Sequence, residues 1–111
     1  MFHRHSAEGF HPVLVGIEVK TPVFGERMLL SGFRMKKGSR LPRHAHPQEQ
    51  TGRLLTGRIM LSIGGGQRET APGECRSVPA GIEHGAGILE DSTAIEVFSP
   101  VREVHKKYHA E

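Results

Sequence analysis

The chain has 111 residues, of which 36% are hydrophobic and 24% are charged, and its formal net charge is +3 at pH 7. A chain of this size and composition can bury one core without covalent cross-links, and its single cysteine, Cys75, excludes an internal disulfide. The basic residues are scattered, and five Phe, one Tyr and no Trp leave little aromatic surface for stacking bases, so we expect no nucleic-acid partner.

The N-terminal segment of the chain carries no targeting or membrane signal that we recognise. The first ten residues, MFHRHSAEGF, contain no long apolar run, so we expect no signal peptide, no membrane anchor and a cytoplasmic protein.

We expect one domain over residues 1–111, with flexible or dimer-contacting ends at 1–10 and 104–111. Five histidines near these ends are expected to be solvated, namely His3, His5, His11, His105 and His109.

Short β-branched segments separated by Gly and Pro recur along the whole chain. Strands are expected over residues 13–19, 27–35, 53–55, 58–63, 76–78 and 93–98. We expect Lys20-Thr21-Pro22 to end the first strand, and Gly64-Gly65-Gly66 to form a tight hairpin turn. No segment has a long helical period, although residues 103–111 could form a short helix. This pattern predicts an all-β sandwich or barrel.

The stretch GSRLPRHAHPQEQTGRLLTG contains a candidate metal-binding group. His44 and His46 are two residues apart, and on a strand such residues project from the same face. Gln50 keeps the even spacing and offers a neutral oxygen ligand, but Pro47 makes the register uncertain. A slip of one residue would turn Glu49 inward instead.

A second stretch, GECRSVPAGIEH, supplies a third histidine, His84, at the start of an expected strand. Three histidines and one oxygen donor are typical of a divalent transition metal such as Ni, Fe, Mn or Zn. With Gln50 rather than Glu as the fourth ligand, the site would carry a charge of about +2 and favour anionic ligands.

These two stretches resemble the two motifs of the cupin superfamily. The first motif is matched by Gly38, His44, His46 and Gly57, with Gln50 where Glu is usual; the second is matched by Gly73, Pro79, Gly81 and His84, with Ile88 where Asn is usual. The resemblance implies a double-stranded β-helix, or jelly-roll barrel, with the metal inside it. It also implies that the chain is a homodimer, because small cupins are often dimers.

The stretch HAHPQEQTGRLLTG and the ending IEVFSPVRE resemble the small pectin-degradation cupins that linearise unsaturated uronates. That group has an acid-x-Phe-x-x-x-Arg pattern, which falls here on Glu96, Phe98 and Arg102, with Glu where the group usually has Asp. The resemblance implies that Glu96 moves a proton, that Arg102 grips the carboxylate of a sugar acid, and that Phe98 contacts the substrate. Phe98 could equally be a core residue, and Arg102 could pair with Glu103 or with a partner chain.

Three functions are therefore open at this stage. The first is metal-dependent ring opening of a uronate-like sugar acid. The second is an iron-dependent dioxygenase that uses the same three histidines, and the third is a non-enzymatic module that binds a small ligand or a metal. Cys75 is expected to be a buried strand residue rather than a nucleophile, because no histidine stands at a recognisable partner position.

Overall fold

The structure is a computed structural model that describes residues 1–109, and its backbone is almost entirely β-strand. The strands are β1 (His11–Leu14), β2 (Ile17–Phe24), β3 (Leu29–Met35), β4 (Arg40–His44), β5 (Glu49–Thr56), β6 (Ile59–Ile63), β7 (Gly66–Thr70), β8 (Cys75–Val78), β9 (His84–Ile88) and β10 (Ser92–Ser99). One short helix, α1 (Glu103–Lys106), follows them. None of the helical structure in residues 1–109 has the length and apolar character needed to cross a bilayer.

The strands form two antiparallel sheets. The larger sheet has the order β1-β2-β3-β10-β5-β8, and the smaller has the order β4-β9-β6-β7. From β3 to β10 consecutive strands alternate between the two sheets, except that β6 and β7 form a hairpin within the smaller sheet. This is the arrangement of a jelly-roll barrel, which confirms the expected fold class.

The inward face of the larger sheet is built in layers. One apolar layer contains Ala94 of β10 between its cross-strand partners Phe33 and Leu54. A second contains Phe98 beside Leu29, and both are at most 1% exposed. Between these two apolar layers lies a polar row centred on Glu96, and this row positions the site described below.

Two expectations about the first strands were wrong. Residues 13–19 do not form one strand, because the chain turns at Gly16, whose φ of +78° suits glycine far better than any other residue. The expected break at Thr21-Pro22 is instead a register shift inside β2, which continues to Phe24. A bulge tolerates proline because the inserted residue is left out of the ladder. The Gly64-Gly65-Gly66 hairpin was predicted correctly and joins β6 to β7.

The C-terminal segment folds back onto its own barrel. The Thr21 amide donates to the Tyr108 carbonyl over 3.0 Å, and the Thr21 hydroxyl donates to the His105 carbonyl over 2.7 Å. These bonds satisfy backbone groups of residues 105 and 108 within the chain, and the expectation of a flexible or dimer-contacting end at 104–111 stays a prediction. Residues 110 and 111 of that expected end lie outside the described residues.

Candidate metal centre

Two of the three motif histidines face each other across a strand pair. His44 is the last residue of β4 and His84 the first of β9, and the two are direct cross-strand partners. His46 lies in the segment after β4 and not on the strand itself. The expectation that His44 and His46 project from the same face of one strand was therefore wrong. The chain bends at Pro47 and Gln48, directly after His46, and the ring centroids of His44 and His46 lie 5.8 Å apart.

The three imidazoles form a compact cluster. The ring centroids of His44 and His84 are 4.3 Å apart, and those of His46 and His84 are 4.9 Å apart. One ring nitrogen from each of the three lies within 4.8 Å of the other two. Three nitrogens at this separation can reach a common ion.

Backbone carbonyls fix the tautomer of every ring in the cluster. Nδ1 of His44 lies 2.9 Å from the Pro42 carbonyl, Nδ1 of His46 lies 3.0 Å from the Gln48 carbonyl, and Nδ1 of His84 lies 2.9 Å from the Ile82 carbonyl. A carbonyl oxygen only accepts, so each Nδ1 carries the proton. Each Nε2 is therefore left with a lone pair, as a metal ligand requires.

Gln50, and not Glu49, turns toward the histidines. Gln50 lies on β5 with 8% of its surface exposed, whereas Glu49 is an exposed residue. The Gln50 Oε1 lies 3.0 Å from Nε2 of His46. Gln50 comes from the larger sheet and His44 and His84 from the smaller, so the site lies between the two sheets.

The burial of His46 and His84 favours uncharged imidazoles at these two positions. Desolvation lowers the pKa of His46 and of His84 below the ordinary histidine value, and the nearby Arg102 guanidinium lowers both further. Neutral histidines are the form that coordinates a metal.

The donor set fits a divalent transition metal. Because Nδ1 of His46 carries the proton, its Nε2 has only a lone pair to offer, and this atom lies 3.0 Å from the Gln50 Oε1. Two acceptor atoms at this distance repel each other unless a cation lies between them and binds both. Two ligand atoms bound at about 2.1 Å to one ion would have a separation close to this. His44, His46 and His84 together with Gln50 are therefore the residues that would hold such an ion.

Behind Gln50 lies a buried ion pair that involves Glu96. The Gln50 Nε2 donates to Glu96 Oε1 over 2.6 Å, and Arg76 donates to the same carboxylate from Nη2 over 2.8 Å and from Nε over 3.3 Å. Burial raises the pKa of Glu96, and the Arg76 guanidinium opposes that rise. Because both carboxylate oxygens receive N–H donors, we assign Glu96 as ionised.

A pocket of about 330 Å³ opens beside the cluster. Its lining includes His44, Gln50, His84, Phe98, Arg102 and His105, whereas Glu96 is not part of the lining. Phe98 is 0% exposed, packs edge-on against the His46 ring at 5.5 Å, and so serves as both core and cavity wall.

Arg102 is a half-buried cation at this pocket. Its guanidinium lies 5.2 Å from the Phe98 ring centroid. Glu103, the expected alternative partner, pairs instead with Lys106 at 3.2 Å, and no carboxylate of residues 1–109 lies within ion-pair distance of Arg102. Burial lowers the pKa of Arg102, which still leaves a guanidinium charged at neutral pH.

Sequence reasoning misjudged two residues and overlooked a third. His105 was expected to be solvated but is 6% exposed, because α1 tucks its ring against Phe98. Cys75 was expected to be buried but is exposed, because Arg76 takes the inward position of β8. The signal for Arg76 was its place two residues before Val78, an apolar residue on the same strand face.

Comparison with known proteins agrees with the fold. The structure is similar to that of KdgF from a Halomonas species, with 26% sequence identity, a TM-score of 0.88, and coverage of 94% of this chain and 98% of that one. An RmlC-like cupin from Shewanella frigidimarina NCIMB 400 has 23% identity, a TM-score of 0.82 and 86% coverage of both chains. The polyketide cyclase RemF from Streptomyces resistomycificus has 24% identity and a TM-score of 0.67, over 77% of this chain and 65% of that one.

No curated protein sequence gives a significant match to the chain. The family model described as "Cupin domain" matches residues 32–99, which is more than half of the sequence. The chain therefore belongs to the cupin family.

Proposed function

We propose that this cupin is a metal-dependent enzyme that converts a ring-closed 4,5-unsaturated uronate, or a similar sugar acid, to its linear keto form. The proposal rests on the metal-binding cupin site and on the resemblance of its residues to the pectin-degradation cupins. The similarity to KdgF over almost the whole of both chains supports it.

The observation that carries the proposal is the position of Arg102. A half-buried guanidinium without a carboxylate partner in residues 1–109 lines the same pocket as two of the three histidines. Such a group binds a planar carboxylate through two parallel N–H donors. A substrate held in this way would place its other oxygens toward the histidine cluster, so an acidic sugar suits the pocket better than a neutral one.

The proposed reaction is an isomerisation and needs no co-reactant. The bond between the anomeric carbon and the ring oxygen breaks, the anomeric hydroxyl loses its proton, and C4 gains one, which leaves an aldehyde and a ketone. A divalent ion held by the three histidines and Gln50 would polarise and orient the substrate oxygens when bound. Arg102 and the Phe98 ring would fix the carboxylate end of the substrate and exclude water from that side.

The proton-transfer role that we predicted for Glu96 meets a geometric constraint. Its carboxylate lies behind the Gln50 amide and does not line the pocket. Arg76 and Gln50 both donate hydrogen bonds to it there. Direct transfer to a substrate in the pocket would need Gln50 to move aside. The role of Glu96 as acid or base remains a prediction.

A direct assay tests the proposal. Purified protein loaded with Ni²⁺, Mn²⁺, Fe²⁺ or Zn²⁺ is incubated with an unsaturated uronate monomer, and the loss of its conjugated ultraviolet absorbance is followed. We expect the wild type to lose absorbance faster than the substrate does spontaneously. The His44→Ala/His46→Ala variant should lose absorbance only at the spontaneous rate. A rate equal to the spontaneous one with every metal would refute the proposal. Oxygen uptake in the same assay would favour the dioxygenase alternative.

A further inference from the structure

We propose that Arg76 is a positioning residue, which holds the Glu96 carboxylate against the Gln50 amide and so keeps the Gln50 oxygen turned toward the histidine cluster. The proposal rests on the metal-binding part of the proposed function and not on the identity of the substrate. Nothing in the motifs of the chain marked Arg76 for this role.

The register of the larger sheet places the parts in one row. Glu96 of β10 is the direct partner of Gly52 of β5, and Gly52 is the direct partner of Arg76 of β8. The two charged residues are thus separated by one strand, and their side chains meet above the glycine. A Cβ added at Gly52 would overlap the Glu96 carboxylate, so the glycine creates the space for this contact.

The ion pair is buried and held by more than one bond. The Arg76 and Glu96 side chains are only 9% and 4% exposed. Two Arg76 nitrogens donate to the two carboxylate oxygens, which fixes the plane of the carboxylate as well as its position. Arg76 also lines a cavity of about 40 Å³ shared with Gln50 and His84, so the pair lies directly behind the cluster.

The orientation of the Gln50 amide follows from this arrangement. An ionised carboxylate only accepts hydrogen bonds, so the Gln50 group that faces Glu96 must be the NH₂. The Gln50 oxygen must then point the other way, where it lies 3.0 Å from His46 Nε2. Without Arg76, the carboxylate would lose its charge-paired anchor and the amide would lose the constraint that selects this orientation.

Charge balance gives the pair a second effect. The positive charge of Arg76 offsets the negative charge of Glu96, so the pair adds no net charge beside the cluster. With neutral histidines and neutral Gln50, a bound divalent ion would keep its full charge for an anionic ligand. Groups that orient metal ligands in this way typically change metal affinity by about 10–100-fold when they are removed.

The test is titration of the metal-free full chain with Ni²⁺ by calorimetry, together with the visible spectrum of the Co²⁺-loaded protein. Gln50→Leu provides the reference for loss of the oxygen ligand. Arg76→Met and Glu96→Gln remove the two members of the ion pair. Arg68→Met is the matched control, because it removes an exposed ion pair between Arg68 of β7 and Glu74, and neither residue lines the pocket beside the cluster.

We expect Arg76→Met and Glu96→Gln to weaken Ni²⁺ binding by about 10–100-fold and to shift the Co²⁺ spectrum toward that of Gln50→Leu. Arg76→Lys, which keeps the charge, should recover part of the affinity, and Arg68→Met should match the wild type. A purely structural role for Arg76 would lower the thermal stability without giving the Gln50→Leu spectrum.

Wild-type affinity and spectrum in Arg76→Met would overturn the proposal, as would the absence of metal binding by the wild type. If Arg76→Met does not fold, Glu96→Gln decides, because it keeps the shape of the side chain. A protein that binds metal normally but does not open uronates would refute the proposed function alone, and these titrations would still decide the role of Arg76.

Discussion

The side-chain amide of Gln50 donates a hydrogen bond of 2.6 Å to the carboxylate of Glu96. This contact explains why glutamine stands where the first cupin motif usually has glutamate. A glutamate at position 50 would put two carboxylates in direct contact inside the barrel, and like charges at that distance cannot both be ionised. The neutral ligand and the buried acid therefore depend on each other.

Exchanging these two residues tests that dependence. In the presence of a chelator, Gln50→Glu should lower the free energy of unfolding by about 3 kcal/mol, because it buries a second, unpaired carboxylate. The double variant Gln50→Glu/Glu96→Gln keeps one acid and one amide and should recover most of the loss. Denaturant unfolding of the four proteins measures the coupling. Glu49→Gln, at the exposed neighbouring position, is the control. If the change in unfolding free energy of the double variant equals the sum of the two single changes within about 0.5 kcal/mol, the dependence is contradicted.

Metal binding should stabilise the fold, because the ligands come from both sheets. At a free metal concentration of about 100 times Kd, the expected gain in the free energy of unfolding is about 2.7 kcal/mol. Thermal melts with Ni²⁺ and with a chelator measure this gain. His84→Ala should abolish it, whereas His11→Ala, at an exposed position of β1, should retain it. An equal metal-induced shift in wild type and His84→Ala would place the ion elsewhere.

The fold was predictable from sequence because its signals are local. Alternating apolar residues and Gly or Pro turns mark most strands, and the Gly64-Gly65-Gly66 hairpin follows from its own residues. Errors arose where backbone geometry overrides residue preference. The positive φ at Gly16 divides a continuous apolar run, and the register shift near Pro22 lets a strand pass through a residue that normally ends one.

The site was less predictable, because several of its contacts join residues far apart in sequence. The spacing of the motifs identified His44, His46 and His84, but only the fold distinguishes Gln50 from Glu49, since Pro47 obscures the register. The pairing of Arg76 with Glu96 depends on a glycine in the strand between them, which no local pattern reveals. His105 becomes buried only because the C-terminal segment returns to β2.

Arg102 should determine the affinity for an acidic substrate. Arg102→Lys keeps the charge but loses the paired N–H donors, and a charge-assisted hydrogen bond contributes about 1.5–3 kcal/mol. We therefore expect kcat/KM for an unsaturated uronate to fall by about 10–100-fold, mainly through KM. Steady-state kinetics measure the effect. Lys106→Met, which removes a nearby cation paired with Glu103, is the control. An unchanged KM in Arg102→Lys would rule out carboxylate binding by this residue.

His105 should make the stability of the fold depend on pH. Burial, with help from the charge of Arg102 and from nearby His44, His46 and Lys107, lowers the pKa of His105 to about 3. The unfolded chain takes up this proton near pH 6.5 and the folded chain does not, so stability is complete above about pH 6.5 and declines as the pH falls toward 3. Between pH 7 and pH 5 the loss due to His105 should be about 2 kcal/mol.

The measurement is denaturant unfolding of the wild type and of His105→Gln at both pH values, with a chelator present. Glutamine does not titrate and can still contact the Ser31 hydroxyl, which lies 2.9 Å from His105 Nδ1. The variant should therefore lose about 2 kcal/mol less than the wild type between pH 7 and pH 5, while the other histidines contribute equally to both proteins. Equal losses of unfolding free energy in the two proteins would contradict this prediction. They would mean that the His105 ring takes up a proton in the folded chain, and that its burial against Phe98 is less complete than the packing of α1 indicates.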